Sequence, residues 1–536
     1  MSLEMDETQR AGAPEYLLAD PIEVAIRKRP PLRSGISERF APTDLDGSFD
    51  VARNPRVARA LRNRKLQFLL ILPNQIIFWL VIGIGLLGTV VPGLNFATAI
   101  TWYLWFCLVF VLMVVVGRAW CAMCPFGGFG EWVQRHTFWG RNRTSIGLGL
   151  KMPERVAQYG FLTSVGAFLL LTWIEEYFNI AGPGNPASTS FMVLGIVASA
   201  LLFFLVFERR TFCRYVCPLS ALIGSVGSMG SVAGFRTRDR EVCLSCATKD
   251  CMRGGENGYG CPWYTWPGSA DSNAVCGLCS ECYKSCPSGN VGLFVQKPLT
   301  SVVNPTRRRA DVAWSVALLL GLVMYQQVNA LTVFSNVDNW LNRHTHFPQY
   351  PNPVDYVGTI AAIAALMGLV AWGFEKVFAS APAPSPLAGR DFLSTGTGAS
   401  ASFLEKTRSF RAYFLPLMYG IIPVVGADYF ARQLPKFLQH VPRVVVAVGH
   451  LFGAGSTSSS LYNSSLVASS PGVVAIQVGV VALGTAAAMW TTWRIAGREL
   501  VPLNGSRRGV QVSAAMFALL LGVVIGVLYV LMNAAN

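Results

Sequence analysis

Cysteine dominates the chemistry available to this chain of 536 residues, because all but one of its 13 cysteines fall into regularly spaced groups. Cys276, Cys279 and Cys282 stand three apart and are followed by Cys286 and Pro287, the run C-x2-C-x2-C-x3-C-P. In that run a tight loop turns three thiolates and several backbone N–H groups toward one iron–sulfur cubane, while the fourth cysteine reaches a neighbouring cluster. Upstream stand Cys243, Cys246 and Cys251, then Cys261 followed by Pro262. By the same exchange logic one [4Fe-4S] cluster takes Cys243, Cys246, Cys251 and Cys286, and a second takes Cys261, Cys276, Cys279 and Cys282. The first half departs from the pattern, with four residues between Cys246 and Cys251 and nine between Cys251 and Cys261. A three-iron cluster or a zinc ion is the alternative there, and the four-plus-four cysteine count favours the cubane.

The third group comes in two matching pieces, GRAWCAMCPFGGFGEW with Cys121 and Cys124, and ERRTFCRYVCPLSALIGS with Cys213 and Cys217. Each follows an apolar run and reads Arg-x-x-Cys, two or three residues, Cys-Pro, then small residues, the signature of an internally repeated two-helix unit. Four thiols at one membrane rim suit a further cluster or a soft metal such as Cu(I). A thiol–disulfide pair and a plain helix-ending Cys-Pro are the other readings open at this level. Cys107, alone inside an apolar run, is read as a small filler.

The elements that must carry these cysteines are membrane helices. Hydrophobic residues make up 52% of the chain and charged ones 14%, with a mean hydropathy of +0.42, too apolar for a soluble domain. Windows near 68–91, 97–117, 157–175, 191–207, 312–333, 355–374, 412–431, 472–491 and 511–532 reach the length a bilayer core demands. The sequence therefore predicts a mainly α, polytopic transmembrane bundle of about nine helices with an inserted ferredoxin-like two-cluster segment. Shorter apolar stretches at 219–235 and 436–453 are expected to be interfacial or re-entrant.

No cleavable signal peptide is read in the first 65 residues. The net charge of +15 sits beside the spans, at 53–65, 135–155, 306–309 and 494–508, and not in a soluble patch, which speaks for the positive-inside rule and against nucleic acid. A multi-pass protein of the inner (cytoplasmic) membrane is expected, with the amino terminus and the ferredoxin segment cytoplasmic. Thiols stay reduced there, so metal ligation is favoured over a disulfide framework. The basic run VARNPRVARALRNRK is expected to lie on anionic membrane lipid.

The order of parts is then a basic tail (1–65), a four-helix membrane domain with the two Cys-Pro motifs (66–236), the two-cluster segment (237–300), two helices (301–375), a flexible linker (376–411) and a carboxyl-terminal membrane domain (412–536). Two Cys-Pro motifs at helix ends, followed by a two-cluster segment and more helices, resemble the membrane polyferredoxin group typified by NapH, the carboxyl-terminal half of NosR and the assembly factor CcoG. The resemblance covers about residues 66–333, and the long flanks are similar in layout to FesM-like proteins. CAMCP is one residue shorter than the family's usual motif.

The resemblance implies electron transfer between a cytoplasmic donor, a ferredoxin or reductase, and a membrane quinone or partner oxidoreductase, with no substrate chemistry of the chain's own. Copper reduction or delivery through the rim cysteines is the alternative. Five histidines, His136, His344, His346, His440 and His450, speak against a haem, which needs two facing each other. Asp428, near Arg432, is expensive at membrane depth and is expected either to pair with that arginine or to serve proton or quinone work. CPWYTWPGS is expected to pack over the clusters or to form a docking face.

Overall fold

The computed structural model describes residues 48–140, 146–180, 186–305, 308–345, 347, 351–378, 410–503 and 507–535. Most of the basic tail, the linker at 380–400 and His346 lie outside these.

A basic helix, α1 (Pro55–Arg62), is capped by the Asn54 side chain, which accepts from Arg56 N at 2.9 Å. It leads into the long apolar α2 (Lys65–Leu87). The turn to α3 (Phe96–Val116) is tied by Asn95, fully buried, which accepts from Ala97 N at 2.9 Å and donates to Thr89 O at 2.7 Å and Ile84 O at 3.2 Å. A buried loop amide needs such partners, and one asparagine supplies them. Then follow α4 (Pro125–Arg135), α5 (Gly160–Tyr177), α6 (Pro186–Val206) and the short buried α7 (Leu219–Gly227).

The cysteine-rich segment comes next, bracketed by three antiparallel strands. β1 (Phe49–Asp50) and β2 (Val232–Thr237) flank β3 (Val291–Val295), with Thr237 opposite Val291 and a bulge between Val232 and Gly234. The chain returns to apolar helices with α8 (Ala310–Val328), α9 (Thr332–Thr345), α10 (Pro353–Phe378), α11 (Phe410–Gly420), α12 (Ile422–His440), α13 (Pro442–Leu451), α14 (Ser470–Leu500) and α15 (Arg508–Asn533).

Among the described residues seven helices are long and apolar enough to cross a membrane, and eight if α11 and α12, bent by 42° at Ile421 beside Pro423, form one span. Their outward faces carry Leu, Ile, Val and Trp, as lipid-facing surfaces do. The expected span at 157–175 is the difference from nine. It folds as α5, but Glu175 and Glu176 near its end bring it below the hydropathy of the others.

Even so, α5 runs alongside α8 for its whole length: Phe161 N donates to Asp311 Oδ2 at 3.3 Å at one end, and Gln326 donates to Glu176 at the other. The stretch at 219–235 forms α7 and the start of β2, and 436–453 the end of α12 with the ten-residue α13.

One buried core runs from Val109 and Phe161 through Leu320 and Tyr356 to Val425 and Ile525. A bidentate pair ties α14 to the start of α8, where Arg308 Nε and Nη2 each donate to Glu499 at 2.8 Å. The basic run before α2 turns its apolar face to the cysteine-rich body. Ala52 and Leu61 are buried in the cysteine-rich body, Arg62 lies over the Tyr283 ring, and Arg64 donates to Glu256 O at 3.2 Å.

The membrane helices meet the cysteine-rich segment at Gly230, where a Cβ would stand 2.7 Å from Gly117 Cα and 3.1 Å from Met113 O, both backbone atoms that cannot swing aside. Gly230→Ala should therefore destabilise the protein by roughly 1–3 kcal/mol, seen as a lower detergent-solubilised Tm. An unchanged Tm would show that this junction is loose.

Candidate metal centre

The cysteines expected to form three tetrads lie close enough to repel one another within each set, and Cys251 of the first set is also coupled to Cys261 and Cys282 of the second. In the first, burial and the neighbouring thiols of Cys286, Cys243 and Cys246 push the Cys251 thiol up to about 12. In the second, Cys282 is driven well above the usual thiol range by burial and by Cys261, Cys279 and Cys276. In the third, burial and then Cys124 and Cys121 push Cys217 up to about 12, and Cys213 is raised by burial, against Arg210, and by Cys217, Cys124 and Cys121. The buried thiols Cys251, Cys282, Cys213 and Cys217 thus resist ionisation in a low dielectric, and metal ligation makes such thiolates stable.

Local structure aims each thiol. Leu278 and Ser280 both take positive φ, 51° and 61°, unusual for residues with a Cβ, and coil the loop between Cys276 and Cys282 back on itself. At Gly277 a Cβ would stand 2.6 Å from Trp263 Cε2, and at Gly234 (φ 93°) 2.9 Å from Cys276 Sγ, so only glycine fits either place. In the first tetrad Thr237 Oγ1 lies 2.9 Å from Cys243 Sγ, Asn290 Nδ2 donates to the same sulfur at 3.3 Å, and Asn290 N donates to Cys286 Sγ at 3.3 Å. Trp263 and Trp266 of the CPWYTWPGS stretch are buried with Cys251, Cys261 and Cys282, where they exclude water.

At the rim each second cysteine precedes a proline and is held extended, Cys124 at φ −66°, ψ 126° and Cys217 at φ −52°, ψ 120°, as the following ring requires. The extra residue of CRYVCP is absorbed by a π turn, Phe212–Val216, in which Cys217 N donates to Phe212 O at 2.8 Å. A π turn holds one more residue than an α turn, so the unequal motifs still bring four thiols together.

The two Arg-x-x-Cys arginines are buried, Arg118 2% and Arg210 1% exposed, and each reaches across to the other repeat. Arg210 donates from Nη1 to Cys121 O at 2.9 Å and from Nε to Glu131 at 2.8 Å. Burial would raise Glu131, but Arg135 and Arg210 outweigh it and hold its carboxyl below the usual range.

Arg118 donates to Ser220 Oγ and Ala274 O and lies 4.4 Å over the Trp263 ring, its Nε without a hydrogen-bond partner. No carboxylate pairs with it among the described residues. A buried cation left so is costly by roughly several kcal/mol, and an anionic cluster on the four thiolates beside it supplies the missing charge. The residues present therefore fit an iron–sulfur cluster. Among the described residues no three His, Cys, Asp or Glu close around a point as a single metal ion requires, and a cubane takes its thiolates at its outer corners.

A family model described as a 4Fe-4S binding domain matches residues 98–146 and 189–231. Over these two stretches the chain is similar to that domain. The two matched stretches are the two rim repeats, each with its Cys-Pro pair, and both stop short of Cys243. No curated protein and no solved structure matches the chain.

The remaining residues singled out from sequence fall elsewhere. His344 stacks on Trp340, His450 Nδ1 lies 2.8 Å from Gly455 O, and His440 packs on Tyr103. Asp428 is not paired with Arg432: it is fully buried and accepts from Gln327 at 2.5 Å and the Tyr529 hydroxyl at 2.8 Å, whereas Arg432 stands 3.9 Å from Glu176. Asn290, Glu131 and the charge balance of Arg118 were not foreseen, although Arg-x-x-Cys in both repeats was the available signal.

Arg118→Leu should act with opposite signs in the two forms of the protein. Without iron the variant should be at least as stable as the parent, and reconstituted it should lose the iron of one cluster, measured by Tm and metal analysis. Asn290→Leu removes the side-chain donor to Cys243 Sγ and leaves the backbone donor to Cys286 Sγ in place. It should lower one reduction potential by on the order of tens of millivolts in a redox titration.

Proposed function

We propose that this chain is an integral-membrane iron–sulfur electron carrier, related in plan to the NapH, NosR and CcoG polyferredoxins, which passes electrons between a water-soluble cytoplasmic donor and an acceptor in the membrane. The observation that carries this reading is continuity. Cys213, Cys243, Cys251, Cys261 and Cys282 lie in one buried cluster of side chains, with Cys121, Cys217, Cys276 and Cys286 packed against it, and Cys121 and Cys124 also touch the membrane core. Clusters bound there supply one-electron storage, at potentials set by burial, charge and hydrogen bonds to sulfur.

The chain's own residues do the rest. Cys243, Cys246, Cys251 and Cys286 would hold one [4Fe-4S] group, Cys261, Cys276, Cys279 and Cys282 a second, and Cys121, Cys124, Cys213 and Cys217 a third. Arg118 and Arg210 offset the rim thiolate charge, and Trp263 fills the space between the second tetrad and Arg118. Arg62, Arg64, Arg135 and Arg308 stand on the cysteine-bearing side, which favours that side as cytoplasmic, where a soluble donor docks.

Metal analysis tests this directly. Purified, anaerobically reconstituted protein should hold about twelve irons and twelve acid-labile sulfides for three cubanes, with low-potential EPR signals on stepwise reduction. Cys121→Ser combined with Cys213→Ser should bring the iron to about eight. Reconstituted protein without iron would overturn the proposal, and eight irons in the parent would remove the rim cluster from it.

A further inference from the structure

We propose that the cavity beyond the rim cysteines holds one phospholipid with a primary-ammonium headgroup, of the phosphatidylethanolamine class. Its phosphate sits at Arg432 and Lys436, its ammonium at Glu175 and Glu176, and its acyl chains lie along the walls toward the cysteines. The site is a property of the helix bundle and stands apart from the electron-carrier reading.

The cavity has a volume of about 1320 Å³ and runs inside the bundle from the four rim cysteines to that charged group. Its length follows from α5, which lines it. Ser164 donates to Cys217 O at 2.7 Å and so marks the cysteine end, and Glu176 lies twelve residues further along, about 18 Å at the rise of an α-helix. One leaflet contributes about half of a hydrocarbon core of roughly 30 Å, so the cavity is about as deep as one leaflet's acyl chains. Ile77, Leu108 and Phe178 line it and are exposed at the outside of the bundle, where such helices face lipid. Chains therefore enter sideways from the bilayer.

The far end lies at headgroup depth, because Glu175 and Glu176 occupy the last turn of α5, which stops at Tyr177. Its charges are poorly matched to one another. Gln326 from α8 donates to Glu176 Oε1, and Arg432 Nη2 from α12 reaches the same oxygen only at 3.9 Å. Glu176 Oε2 is buried without a hydrogen-bond partner. Lys436, one turn beyond Arg432, lies 5.1 Å over the Trp102 ring, with no carboxylate at ion-pair distance among the described residues. The cavity thus has unused donors on α12 and an unused acceptor on α5.

That pattern selects a zwitterion. A phosphate accepts from Arg432 and Lys436, and an ammonium donates to Glu176 Oε2, so each unmatched group gains an opposite charge at a depth where charge is expensive. An anionic headgroup would satisfy the cations and leave Oε2 facing more negative charge. A choline headgroup carries its positive charge without an N–H to donate, and a fatty acid brings no cation at all. With acyl chains along its length, the cavity keeps water from Cys121, Cys124, Cys213 and Cys217, which line its near end.

The test is native mass spectrometry of the full-length, iron-loaded protein, stripped of lipid in detergent and returned to equal amounts of phosphatidylethanolamine, phosphatidylcholine and phosphatidylglycerol with the same acyl chains. One phosphatidylethanolamine should stay bound under activation that releases the other two, with a preference over phosphatidylcholine of about 5- to 30-fold. Glu176→Gln should remove most of that preference, and Arg432→Leu should weaken retention of all three lipids. Leu171→Trp, which fills the cavity without altering charge, should abolish retention while the iron content stays that of the parent.

Equal retention of phosphatidylethanolamine and phosphatidylcholine, a preference for phosphatidylglycerol, or retention of no lipid by the parent would overturn the site. So would a lipid that survives Leu171→Trp in iron-loaded protein. Should Leu171→Trp fail to fold, the nearly isosteric Glu176→Gln decides, because an undiminished preference there overturns the ammonium contact.

Discussion

Buried sulfur is the constraint on which the rest of this structure depends. Nine thiols lie in or against one buried cluster of side chains, and where such neighbours ionise, each raises the cost of ionising the next. The surroundings answer with cations and donors. Arg118 and Arg210 sit at the rim, Arg236 is buried beside Cys276, and Thr237 and Asn290 point at Cys243. Arg210 has Glu131 as a partner, but Arg118 has no carboxylate among the described residues, and bringing its charge beside ionised thiolates removes a cost from both.

The internal repeat is the means of assembly at the rim. Each copy is an apolar helix that stops at an Arg-x-x-Cys, turns at a Cys-Pro and begins a second helix. Packed face to face, each arginine reaches the partner repeat. Arg210 donates to the carbonyl of Cys121, while Arg118 donates to Ser220, just beyond Cys217. The π turn at Phe212–Val216 shows how a length difference of one residue is taken up in backbone hydrogen bonding without moving the thiols out of the set.

Charge within the helix bundle follows the same economy. Glu175 and Glu176 make α5 the least apolar of the helices read as spans, and they face a cavity, where Arg432, Lys436 and Gln326 meet them. Asp428, one turn from Arg432, is instead held by neutral donors, Gln327 and Tyr529. Asp428 and Arg432, an acid and a base one turn apart on α12, thus have different partners, because the two side chains reach different neighbouring helices.

The sequence by itself determined the ligand chemistry and the membrane character, because both are local. Cysteine spacing in CGLCSECYKSCP and the length of an apolar run need no knowledge of distant contacts, and the helices at 65–87, 96–116 and 186–206 lie close to where hydropathy puts them. Only the tertiary structure decided which charges meet. Arg118 facing the other repeat, Arg432 with Glu176 in place of Asp428, the basic run before α2 against Tyr283, and the cavity joining cysteines to glutamates all depend on helix packing. Residues far apart in the chain become neighbours through the fit of whole helical faces, and no periodicity within one segment encodes its partner.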